Sequence, residues 1–198
     1  MRGGSGVRGA TLELTRGEIA WLRGDFESAV RAGLAVVAEW ERSTYWVTWA
    51  LDLAASGALW LGQAGRLRDI VVRIEVLQVG SRLGRAVRAG ARGALAAVEG
   101  RTSNAVAWYG ESVRLLREGG FGWAFGLRRL DFARAVGPEV PEARAAAEEA
   151  RVVFERVRAT ACLERLDAVL AGADRPGPPV SAPRAHMRPA RVIRGRAR

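Results

Sequence analysis

Apolar residues recur along this chain at three- and four-residue spacings, and nowhere in the sustained alternation of a strand. Residues 11–23 read as a first helix, with Leu12, Ile19, Trp21 and Leu22 among its apolar positions. Gly24 breaks it, and Asp25 is placed to cap a second helix that runs to about Arg42 and carries Phe26, Ala29, Val30, Val36, Val37 and Trp40 on one stripe. Thr44 opens a third helix with two apolar stripes, one of Trp46, Trp49, Leu53 and Trp60, the other of Val47, Leu51, Ala54, Ala58 and Leu61. A helix apolar on two faces has neighbours on both sides. Gly65 turns into residues 67–77, ended by Gly80; residues 82–99 and 103–118 form the next pair around Gly100, stopped by Gly119 and Gly120. Residues 121–136 and about 139–158 form another pair around Gly137 and Pro138, and residues 160–170 close the end.

A motif recurs within this pattern: a small residue, a glycine seven positions later, then an aromatic or apolar residue and an alanine. Gly17, Gly24, Phe26 and Ala29 make the first copy, and Gly93, Gly100 and Ala105 the cleanest recurrence. Ala58, Gly65, Leu67 and Ile70 make a weaker copy, and Asp131, Pro138, Val140 and Ala143 a degenerate one. The anchors Gly24, Gly65, Gly100 and Pro138 lie 41, 35 and 38 residues apart. A period in this range implies stacked helical hairpins, each unable to bury its apolar face alone. The expectation is an all-α protein with a flexible Gly- and Arg-rich N-terminus (1–10), a repeat domain (11–171) and a disordered Arg/Pro-rich tail (172–198), where five of the seven prolines fall.

Composition narrows the function classes. All 31 basic residues are arginine, and the formal net charge is +10. Residues 171–198 hold seven arginines against Asp174, so +6 of that charge lies there and only +4 is spread over residues 1–170. The weak excess over the helices reads as a solvated surface; any nucleic-acid contact is expected through the tail, weak and without sequence preference. No apolar run reaches the ~20 residues of a membrane span, and the N-terminus lacks the apolar segment of a signal peptide. With Cys162 as the single cysteine, the chain reads as cytoplasmic and without disulfides.

The inventory speaks against catalysis. Without lysine there is no phosphate loop of the Walker type and no Schiff-base lysine, and the single histidine, His186, lies in the tail. One His and one Cys do not make a zinc site, and no cofactor is expected. Gly4, Gly6 and Gly9 spell GxGxxG, but no strand precedes them to aim such a loop at a pyrophosphate. Cys162 beside Leu163 reads as a small core residue. The seven tryptophans are the most informative side chains. Trp46, Trp49, Trp60, Trp108 and Trp123 either fill interhelical space or line a groove that grips a peptide or small ligand.

The glycine, aromatic and alanine positions of GEIAWLRGDFESAV resemble those of tetratricopeptide-type hairpins. The segment from Leu130 to Gly137, and the Ala/Arg/Glu-rich stretch from Glu142 to Ala159, are similar to the closing repeats of large LuxR-type regulators with an ATPase module and of related cyclase-associated ATPases. Val157 and Arg158 stand where that pattern has Leu-Gly, so the final turn is expected to differ. The resemblance implies a right-handed α-solenoid of about four antiparallel helix pairs plus a closing helix. It implies the sensor arm of a transcriptional regulator involved in signal transduction, as a truncated or fragmentary chain lacking the ATPase and helix-turn-helix parts, and it carries no site residue across. Its partner would be a protein or small effector held on the concave face, which the first helix of each pair lines. The alternatives are a free-standing adaptor of the same build and a nucleic-acid-associated protein acting through its basic tail.

Overall fold

The computed structural model describes residues 3–39, 44–77 and 80–172, and the protein is all-α. Nine helices account for the described residues: α1 (Gly3–Leu22), α2 (Phe26–Glu39), α3 (Thr44–Trp60), α4 (Ala64–Val76), α5 (Arg82–Val98), α6 (Thr102–Glu118), α7 (Gly122–Val136), α8 (Pro141–Arg156) and α9 (Thr160–Leu170). No helix among them is long and apolar enough to cross a membrane. The Arg/Pro-rich segment from residue 173 onward, with His186, lies outside the described residues, as does Trp40.

One turn recurs between helices, and its hydrogen bonds show why glycine recurs with it. After α1, the Gly24 amide donates to the Trp21 carbonyl and the Asp25 amide to the Ala20 carbonyl. This paired closure satisfies last-turn carbonyls and requires a left-handed residue at the turn. The same pair forms at Gly62 and Gly100, whose φ angles are +67° and +76°, conformations that cost a residue with a Cβ. The second anchor is therefore Gly62, not Gly65, which sits inside α4. Of the left-handed glycines, which also include Gly120 and Gly172 at other helix ends, Gly24, Gly62, Gly100 and Gly137 are 38, 38 and 37 residues apart, a more regular spacing than the sequence alignment gives. On this register Ala29, Leu67 and Ala105 each stand five residues past the turn, and all are buried.

Two boundaries depart from the sequence reading. Helix α1 begins at Gly3 rather than near residue 11, so the segment 1–10 is helical from Gly3 onward, and Gly4, Gly6 and Gly9 form no phosphate loop. Ala10 and Leu14, four residues apart on one face, are both buried in the core and carry the helix through this stretch. The turn after α8 closes as those at Gly24, Gly62 and Gly100 do. The Arg158 amide donates to the Glu155 carbonyl and the Ala159 amide to the Phe154 carbonyl, with Arg158 itself left-handed at φ 55°.

Each helix packs on the next, and the odd-numbered helices also pack on one another, α1 on α3, α3 on α5, α5 on α7 and α7 on α9. Helical glycines set several of these close approaches: a Cβ on Gly33 would stand 2.5 Å from the Ala50 carbonyl oxygen of α3, and one on Gly93 would stand 2.9 Å from the Tyr109 ring. The array also curls back on itself. Helix α3 contacts α7, and one buried cluster joins Trp21, Ala29 and Trp60 near the chain's start to Phe154, Cys162 and Leu166 near its end. Arg165 of α9 seals this closure, donating to the Leu22 carbonyl and lying over the Trp21, Phe26 and Trp60 rings.

Candidate functional site

A buried polar network lies between α3 and α7. Asp131 is 2% exposed, and its Oδ1 accepts from the Trp60 indole N–H at 2.7 Å and the Ser56 hydroxyl at 2.9 Å. The Ser56 oxygen accepts in turn from the Trp21 indole at 3.0 Å. Arg128, one turn before Asp131 on α7, pairs with Asp52 of α3 and lies 3.7 Å from Asp131 Oδ2. Its guanidinium fits because Gly90 of α5 has no Cβ to collide with it. Arg134, one turn after Asp131, donates to the Leu59 and Trp60 carbonyls at 3.0 and 2.8 Å, satisfying the end of α3. Burial pushes the Asp131 carboxyl above the usual carboxylate range, against the opposing pull of Arg128, Trp60 and Ser56. Asp131 Oδ1 is thus taken up by two donors, while the buried Arg128 Nε–H finds no acceptor among the described residues.

Above this floor lies an open groove of about 410 Å³ between α1, α3 and the start of α7. Its aromatic lining is Tyr45, Trp46, Trp49, Phe121 and Trp123, and α1 contributes Leu14 and Glu18. A narrower cleft of about 50 Å³ continues down to Asp52, Ser56, Arg128 and Asp131, sharing Glu18, Trp49, Trp123 and Ala124 with the groove. The rings meet edge to face: Tyr45 with Trp46 at 82°, Tyr45 with Trp49 at 78°, and Trp49 with Phe121 at 80°. Perpendicular rings make walls rather than a stack. Tyr45 and Trp123 are 57% and 41% exposed, large aromatic surfaces left to water, whereas the other large rings among the described residues are more deeply buried. Glu18 projects at the surface, yet enough protein surrounds its carboxyl that desolvation raises its pKa.

Of the five tryptophans singled out from the sequence, the structure brings Trp46, Trp49 and Trp123 together in this groove. Trp60 is not there. It is buried, with its indole N–H held by Asp131 and its ring covered by Arg134 at 4.6 Å. Trp108 lies on α6 beneath Arg92, 4.7 Å away, because α6 is not among the helices that line the groove. Tyr45, Phe121 and Glu18 were missed. Two of them stand at helix starts, where apolar periodicity gives no face, and Glu18 has no sequence mark that separates it from other surface acids.

Elsewhere the chemistry is quiet. Burial pushes the Cys162 thiol up to about 11, so it is no ready nucleophile at neutral pH. Among the described residues no three His, Cys, Asp or Glu side chains are grouped as metal ligands. No family model matches the chain, and no curated protein or solved structure shows significant similarity to it.

Proposed function

We propose that this chain is a non-catalytic helical-repeat sensor or interaction domain whose working surface is the aromatic groove between α1, α3 and α7. The observation that carries this reading is the exposure of Tyr45 and Trp123 beside the half-buried Trp46 and Trp49 in one preformed groove. An uncovered aromatic groove of a few hundred Å³ is the usual form of a small-ligand site. The finer architecture is part of the same proposal: a right-handed solenoid of antiparallel, tetratricopeptide-like pairs, with the odd helices lining the inner face. So is its setting, as the cytoplasmic sensor arm of a LuxR-type ATPase regulator or a free-standing relative, since both use such repeats to receive a signal rather than to transform a substrate.

A thermal-shift screen of chemically diverse small molecules tests this, run in parallel on the full chain and on the Trp123→Ala variant. Compounds that raise the melting temperature of the first and not of the second support the groove. If no compound acts in a Trp123-dependent way, the reading fails.

A further inference from the structure

We propose that the groove is a receptor for a small organic cation with an alkylated ammonium head, held against the aromatic walls with Glu18 as its counter-charge. The inference rests on the groove being the ligand site and goes on to name the ligand's chemistry.

The first support is what this protein does with its other aromatic faces. Trp108 is covered by Arg92, Phe125 by Arg117 and Arg129, Trp60 by Arg134, and Trp21 and Phe26 by Arg165, each guanidinium 4.6–5.2 Å from the ring centroid. A cation over a ring face is attracted by the ring's negative quadrupole. Among the described residues, no guanidinium lies over Tyr45, Trp46, Trp49, Phe121 or Trp123. Tyr109, Phe132 and Phe154 lack one too but are buried, so among the described residues the groove gathers the accessible rings that no guanidinium covers.

Charge points the same way. The groove and the cleft beneath it are lined by three carboxylates, Glu18, Asp52 and Asp131, against one guanidinium, Arg128. Asp52 and Asp131 are engaged by Arg128, Ser56 and Trp60, whereas Glu18 makes no hydrogen bond or ion pair with the described residues. A partly desolvated carboxylate with no partner favours a positive ligand and repels an anion. The hydrogen-bonding inventory then selects among cations. A guanidinium or primary ammonium brings several N–H donors, and the groove offers Glu18 as its one charged acceptor beside the hydroxyls of Thr11, Thr15 and Tyr45. An alkylated ammonium has few or none to satisfy and presents methyl surface to the rings. A sugar would need several polar partners at once, and on this floor Asp131 Oδ1 is already taken by Ser56 and Trp60.

The test uses the full chain and choline as the probe, with 3,3-dimethylbutan-1-ol as its uncharged isostere, followed by titration calorimetry and ligand-observed NMR. Choline is expected to bind saturably, and the isostere about tenfold more weakly, since the two differ only in the charge that the rings and Glu18 sense. Glu18→Gln and Trp123→Ala should each weaken choline by roughly fivefold or more. Both positions are exposed, so both variants should fold, which a circular dichroism spectrum checks. Equal affinity for choline and its isostere, no saturable choline binding, or choline affinity unchanged in both variants overturns the proposal. The screen described above separates the two levels of failure. A neutral or anionic compound that depends on Trp123 leaves the sensor reading standing and removes the cation; no Trp123-dependent compound removes both.

Discussion

Truncating Asp131 is the sharpest probe of what closes the array. The side chain is 2% exposed, and its carboxylate holds α7 to α3 through the Trp60 indole and the Ser56 hydroxyl while facing the buried Arg128. In Asp131→Ala two buried donors lose a charged acceptor, a kind of bond worth roughly 1.5–3 kcal/mol. Arg128 keeps Asp52, so its charge is not stranded, and removing a desolvated carboxylate returns part of the loss. The expected net cost is about 3–5 kcal/mol, a large fraction of the ~5–15 kcal/mol of an ordinary domain. Asp131→Asn keeps a carbonyl oxygen for both donors; it surrenders the 3.7 Å approach to Arg128 but also removes a carboxylate whose burial disfavours its charge, so it should stay within about 1 kcal/mol of the parent. Urea unfolding at neutral pH, followed by tryptophan fluorescence, measures both, with the slope against denaturant checking that unfolding stays two-state. An Ala variant within about 1 kcal/mol of the parent would refute the closure argument. An Asn variant as damaged as the Ala variant would show that charge, not the two hydrogen bonds, holds α3 to α7.

Other outcomes follow from the same geometry. Arg158→Gly should stabilise the protein by about 1 kcal/mol in the same urea assay, because the residue is left-handed and exposed; Arg158→Ala, which keeps the strain, should show no such gain. Gly33→Ala should cost about 2–3 kcal/mol, since its Cβ would press on the Ala50 carbonyl, whereas Gly110→Ala, with open space around it in α6, should gain roughly 0.5–1 kcal/mol. Glu18 has a raised pKa in the folded state, so folding is favoured with it protonated, and that contribution is lost as pH rises through the folded value. Glu18→Gln should thus be more stable than the parent at neutral pH and no different well below the usual carboxylate range; a gain that persists at low pH would remove desolvation as its cause.

What the sequence made legible tracks how local each determinant is. The helices and the repeat were readable because Gly24 and Gly100 answer a purely local demand, a left-handed residue that closes the last turn. The second anchor went to Gly65 because the true one, Gly62, stands three residues earlier and carries the same letter. The last turn was hidden for the opposite reason: Arg158 meets the same demand without being glycine. The start of α1 was misjudged because Gly and Arg argue against a helix, while the burial of Ala10 and Leu14 argues for one and shows only in the fold.

The site was half legible, and the division has a physical source. Trp46, Trp49, Trp60 and Trp123 look alike as letters on helices that face inward. What sends Trp60 into the core is Asp131, 71 residues away in the chain, which takes its indole N–H, and Arg134, which covers its face. Nothing comparable reaches Trp49 or Trp123 from any other described helix. Arginines are scattered along the whole chain, so proximity in sequence does not tell which ring each will find. Composition can therefore announce that rings and guanidinium groups will meet, while only the tertiary curl decides which faces stay uncovered. Those uncovered faces, rather than the tryptophans as a class, are where the structure leaves room for a ligand.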